Sequence, residues 1–175
     1  GIGLLASDAA AHAAWRCDFL AVRHVTPNAA SDTHRVFTAP PGNLGNPALG
    51  WPSTSVFAAE PTWAAIVEGL RAGRVSLHGG DSRLFLDGYD GQRTRAEDRN
   101  ARELRLRGRL DPAAPAARLV LTRATACQDS RPSTVPPALT EETLLDVSIA
   151  PGERFDRAVP IQGEPGVYTA KLLPA

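Results

Sequence analysis

Asp32 and His34 stand two residues apart in the run Asn28-Ala29-Ala30-Ser31-Asp32-Thr33-His34-Arg35, directly after a short stretch of alternating apolar residues. In an extended backbone that spacing turns both side chains to one side. Asp offers a hard anionic oxygen and neutral His a borderline nitrogen, a pair that suits zinc, manganese or iron better than calcium or magnesium. A zinc centre that does chemistry needs three protein ligands and an open position for water, so Asp32 and His34 require partners. The other histidines, His12, His24 and His78, do not stand at the close spacing that marks a ligand pair on one strand or helix. The same Asp-x-His spacing also arises in a polar loop where an Asp caps a turn beside an incidental His.

Other chemistries find less to build on. The glycines at 42–45 and 79–80 lack the Lys-Ser/Thr ending of a phosphate loop and the strand, glycine and helix order of a dinucleotide site. No Gly-x-Ser-x-Gly elbow is present. Cys17 and Cys127 are far apart in sequence, have no neighbouring His or cationic patch to stabilise a thiolate, and read as small buried apolar residues rather than a disulfide framework. His78, in the turn-like run His78-Gly79-Gly80-Asp81-Ser82, reads as part of a surface turn.

The elements that would position Asp32 and His34 follow from local signals. Ser7 or Asp8 is placed to cap a helix ending between Cys17 and Leu20. Residues 22–30 read as a short strand or extended segment interrupted by Pro27, which puts residues 31–35 where it opens into a loop, a common location for catalytic groups. The run Ala39 to Pro47 is rich in turn formers. Pro61 suits a first helical position and Gly73 the position after a last turn, and Trp63, Ile66, Val67 and Leu70 between them form one apolar face that predicts core packing.

Composition shifts after Gly88. From Glu103 onward, short strands are predicted at 103–109, 118–125, 144–149 and 167–172, divided by Asp111-Pro112, Pro136-Pro137, Pro151-Gly152 and Pro165-Gly166. This pattern predicts an antiparallel sandwich-like lobe with the 166–170 strand at its edge. Leu104, Leu106 and Leu110 alternate with Arg105, Arg107 and Arg109, as in a strand with one solvated face. Two divisions result: an α/β portion over 1–88 and a β-rich lobe over 89–175. The 19 basic and 19 acidic residues balance, unlike the basic footprint of a nucleic-acid binder. No apolar run reaches the roughly 18–20 residues of a spanning helix, so a soluble chain with neither a nucleic-acid nor a membrane partner is expected. Its compartment is left open.

Four segments together resemble the carboxy-terminal end of the catalytic domain of PHP (polymerase and histidinol phosphatase) metallohydrolases, particularly the carbaryl-hydrolase-like branch. Asp18 to Val22 resembles the helix end before the last barrel strand, and His24 to His34 that strand with its terminal ligand motif. Gly50 to Phe57 resembles the family's glycine, proline and small-residue run into a β-segment, and Pro61 to Val75 its closing helix and following strand. The resemblance implies a fold of α/β type (a partial PHP-type barrel end) followed by the sandwich-like lobe. It implies that Asp32 and His34 are ligands and catalytic residues of a divalent metal cluster (zinc, manganese or iron). The metal-bound hydroxide would attack a phosphoester, ester or carbamate of a small-molecule substrate. The family's opening His-x-His, bridging Glu and middle His find no match before Asp32, so the resemblance implies that a missing amino-terminal part of the same domain completes the site. The competing expectation is a non-catalytic β-sandwich accessory or binding module.

Overall fold

Leucine alternating with arginine along Glu103–Arg109 makes the strand β4, whose Leu104 and Leu106 are buried while Arg105 and Arg107 stay partly in water. This computed structural model describes residues 6–21, 25–29, 52–89, 101–128, 138–161 and 165–175, with the side chains of residues 6–10 and 89 outside that description. β4 lies between β3 (Arg83–Tyr89) and β7 (Arg154–Pro160) in one three-stranded sheet. A second sheet places β5 (Ala117–Gln128) between β6 (Ala138–Ile149) and β8 (Val167–Pro174). All of these pairings are antiparallel.

The two sheets share one apolar core. Leu104, Leu106, Phe155 and Val159 come from the first sheet, and Leu119, Leu121 and Ile149 from the second. Register stacks the second sheet's inner residues in rows: Val147, Leu119 and Leu172 lie across from one another, as do Leu145, Leu121 and Ala170. Such rows of apolar cross-strand neighbours are the stabilising unit of a sheet, and packing two of these faces removes both from water. The expected sandwich-like lobe is therefore present, with β8 at an edge. The division read at residue 88 falls within β3, which pairs with β4 from Arg83↔Arg109 to Tyr89↔Glu103.

β7 was not predicted. Its burial follows the alternation expected of a strand only at Phe155 and Val159, with charged residues between. Gly108 makes room for it: a Cβ at that position would overlap the Arg83 carbonyl oxygen and come within 2.6 Å of the Phe155 ring.

Ahead of the sandwich, β1 (Ser53–Val56) pairs antiparallel with β2 (Val75–His78), and α2 (Trp63–Arg71) connects them. α2 begins at Trp63 rather than at Pro61, and Thr62 caps it, its hydroxyl accepting the Ala65 N–H at 3.3 Å. Gly73 then takes a positive φ of 65° after the helix ends, the left-handed exit that glycine supplies. The apolar face holds in part. Ile66, Val67 and Leu70 are half-buried, but Trp63 is 79% exposed, so it is not core as predicted. It sits at the first helical position, almost two turns ahead of the contact that seats α2. That contact is at Gly69, where a Cβ would come within 2.6 Å of Val56 and 2.7 Å of the Phe57 carbonyl oxygen.

α1 (Ala6–Leu20) rests against β5, β6 and β8. Leu119 and Leu121 face the other sheet, so α1 covers the outer face of this one and forms a third layer. The helix already includes Ser7 and Asp8, which therefore do not cap it.

Gly108→Ala should destabilise the protein by about 1–3 kcal/mol through overpacking, read as a lower urea midpoint at unchanged slope. Adding Phe155→Leu to Gly108→Ala should return part of that loss, because the ring is one of the two groups the new methyl meets. Equal losses with and without the second change would contradict this account of the glycine.

Candidate functional site

Asp32 and His34 lie outside the described residues, as does His24. What the structure does describe is the segment that leads to them. Residues 25–29 lie outside helix and strand. Three side chains hold them in place. The Trp15 indole N–H donates to the Val25 carbonyl at 2.6 Å. The Thr26 hydroxyl donates to the Leu70 carbonyl at 2.7 Å, a second bond to an oxygen that also accepts the Gly73 N–H at 3.1 Å at the end of α2. At Ala29 the Thr54 hydroxyl accepts the backbone N–H at 2.8 Å and donates to the carbonyl at 3.1 Å. The chain is thus fixed to β1 three residues before Asp32.

His78 is not in a surface turn. It ends β2, is only 4% exposed, and packs edge-on to Phe85 with ring centroids 5.7 Å apart. Phe57 meets the other side of the same cluster, its ring 5.1 Å from Phe85. Burial, and then the charge of Arg83, lower the His78 pKa, which keeps a neutral imidazole. The three rings join the β1-β2 pair to β3, a structural role. Among the described residues no group of three or more His, Cys, Asp or Glu side chains is arranged to hold a metal.

The cysteines differ most from expectation. Cys17 and Cys127 form a disulfide with Cα atoms 5.5 Å apart, joining α1 to β5 across 110 positions. Spacing gave no sign of it because the partners meet only after the sheet has folded. The usable signal was the even count of two cysteines.

Beside the disulfide, Arg16 is buried under α1, 2% exposed. Its Nη1 donates to Glu141 Oε2 at 2.9 Å. Burial works to raise the Glu141 carboxyl. The hydrogen bond from Arg16, the nearby Thr122 hydroxyl and the charges of Arg16 and Lys171 outweigh burial and hold the pKa below its usual value. Lys171 is lowered by burial and then by Arg16, against the pull of Glu141. His12 is lowered to about 4, first by burial, then by Lys171 and Arg16, with Glu141 opposing. This layer carries none of the residues singled out from sequence spacing as ligands. Its members are scattered over α1, β5, β6 and β8, and each read alone as an ordinary surface residue.

No family model, curated protein or solved structure matches this chain.

Two outcomes follow from the α1 contact. In the chain-entropy picture a cross-link closing so long a loop contributes up to about 5 kcal/mol, so a reductant or Cys127→Ala should lower the urea midpoint markedly. An unchanged midpoint would mean that the bond is not formed. The His12 and Glu141 pKa values are both depressed in the folded state, so the unfolded chain binds more protons on acidification. Stability should therefore be greatest above pH 6.5 and fall as pH drops toward about 4. His12→Gln should flatten part of that fall in pH-dependent urea titrations.

Proposed function

We propose that this chain is the closing part of a PHP-like metallohydrolase domain carrying its own β-sandwich lobe, with Asp32 and His34 as two ligands of a divalent metal. The anchoring of residues 25–29 carries the reading. Thr26 is tied to the end of α2 and Ala29 to the Thr54 side chain in β1, so the backbone is fixed three residues ahead of Asp32, as a scaffold that positions chemistry beside it requires. The order of that segment, β1, α2 and β2 also follows the order of the segments that carry the resemblance.

The donor set fits such a metal. One carboxylate oxygen and one neutral imidazole nitrogen suit zinc, manganese or iron, and two ligands leave room for others from upstream. A bound metal supplies an acidified water and a polarised scissile group, the requirements for hydrolysing a phosphoester, ester or carbamate. The contribution of this chain is positioning. Asp32 brings charge and His34 a nitrogen lone pair, while Thr26, Thr54 and α2 hold the segment that delivers them. Alone, these residues bind metal weakly and turn over substrate slowly or not at all.

The β-sandwich serves this reading as a brace. As a carbohydrate-binding module it would need exposed aromatic faces. Among its described aromatic side chains, Phe155 is buried, Tyr168 packs against the core and Phe85 packs on Phe57 and His78. The Cys17–Cys127 bond favours folding in an oxidising compartment, where such bonds persist.

The test compares this chain with an amino-terminally extended form for metal content and phosphoesterase turnover, each with Asp32→Ala and His34→Ala. The extended form should bind metal, and either substitution should cut turnover roughly 100-fold or more, because losing groups that merely orient a ligand already costs 10–100-fold. Undiminished turnover in both variants would reject the assignment. Tight glycan or peptide binding by the short chain, with no effect of metal, would favour the accessory-module reading instead.

A further inference from the structure

The layer between α1 and the sheet has more hydrogen-bond donors and more positive charge than the described residues use. Arg16 spends Nη1 on Glu141, but its Nε and Nη2 are buried without a hydrogen-bond partner among the described residues. Those two atoms form one edge of the guanidinium plane, a pair of parallel N–H donors in the geometry that grips an oxyanion with two bonds. On the sheet side, Thr122 of β5 and Thr169 of β8 are cross-strand partners. Each occupies a position alternate to the core residues. The Thr169 hydroxyl is buried without a hydrogen-bond partner among the described residues, while the Thr122 hydroxyl is turned to the Glu141 carboxyl, whose pKa it helps to lower. Lys171, two residues beyond Thr169 on the same face, is half-buried and interacts electrostatically with both Arg16 and Glu141.

Charge decides what such a layer should hold. Arg16 and Lys171 face a single carboxylate, Glu141, and His12 is neutral near pH 7 because its pKa is about 4. Among the groups named, two cations face one carboxylate, with Lys171 half-buried and so partly solvated. A water could satisfy the free hydrogen bonds; an anion satisfies them and offsets the surplus charge as well.

We propose that this layer binds a small tetrahedral oxyanion, phosphate or sulfate, held on the Nε and Nη2 edge of Arg16 with Lys171 and the hydroxyls of Thr122 and Thr169. Glu141 occupies the opposite side of the guanidinium and fixes its plane. Its negative charge weakens the site relative to a wholly cationic one. The proposal is independent of any role for Asp32 and His34.

The test is thermal denaturation of the full chain in phosphate, sulfate and chloride at matched ionic strength, with the His12 pKa followed by NMR. Phosphate and sulfate should raise Tm saturably and chloride should not. Arg16→Lys, which loses the two-pronged edge, should weaken the phosphate response by about tenfold or more, the scale of one charge-assisted hydrogen bond. Thr169→Val and Lys171→Gln should weaken it less. Phosphate should also raise the His12 pKa, because the anion offsets the fields of Arg16 and Lys171. Phosphate and sulfate stabilise many proteins by exclusion from their surfaces. That effect does not saturate and ignores these substitutions, so a linear rise equal in wild type and variants overturns the proposal. An unmoved His12 pKa also overturns it. If Arg16→Lys fails to fold, a saturable response that persists undiminished in both Thr169→Val and Lys171→Gln overturns it in its place.

Discussion

The bond between Cys17 and Cys127 decides where the first helix can be. α1 is a 15-residue helix with six alanines, and alanine favours helix without offering much apolar surface to bury. A helix of that length is marginal in water by itself, and the buried Arg16 works against docking. The covalent tie to β5 offsets this. It converts a weakly apolar helix into a fixed layer over the outer face of the β6-β5-β8 sheet, and Glu141 then receives Arg16 at a defined position.

The same bond closes a loop that contains β1, α2, β2, β3 and β4. Its contents are joined to the sandwich by short-range contacts. Phe57 and His78 meet Phe85 of β3, the Ser76 hydroxyl donates to the Leu84 carbonyl, and the Ser82 hydroxyl accepts the Asp111 N–H at 3.1 Å. Trp15 on α1 reaches back to Val25, and Thr54 in β1 holds Ala29. Residues 25–29 are therefore gripped from both sides, by the tethered helix and by the β1-α2-β2 unit.

Legibility in the sequence followed the range of the interactions. β4 was read with its observed bounds because Leu104 and Leu106 alternate with arginines, and the period of two is a local property. β8 stands at an edge, as expected of the carboxy-terminal strand. β7 escaped because Arg154, Asp156 and Arg157 surround Phe155, and its strand character comes from pairing with β4. Trp63 fitted a helical face by spacing, yet the helix is seated at Gly69, a residue whose role lies in having no side chain. The disulfide and the Arg16 layer were the least legible, since both depend on residues more than a hundred positions apart. For Asp32 and His34, resemblance supplied the meaning, since spacing alone favours a polar loop or capped turn over a metal site.

The polar layer under α1 has no evident value as a source of stability. Burying an ion pair costs desolvation that its attraction repays only in part, and apolar replacements of similar volume are often neutral or stabilising. Such layers are best attested where they set register between elements. Here register is already set, because a disulfide between residue 17 of the helix and residue 127 of the strand allows no neighbouring alignment. Arg16, one residue from that bond, adds no further choice of position. It adds two aligned donors and a charge that Glu141 cancels only in the absence of Lys171. With stability and register both accounted for by other groups, recognition of an anion is the role for which this combination of a planar fork, an ammonium and two hydroxyls is suited.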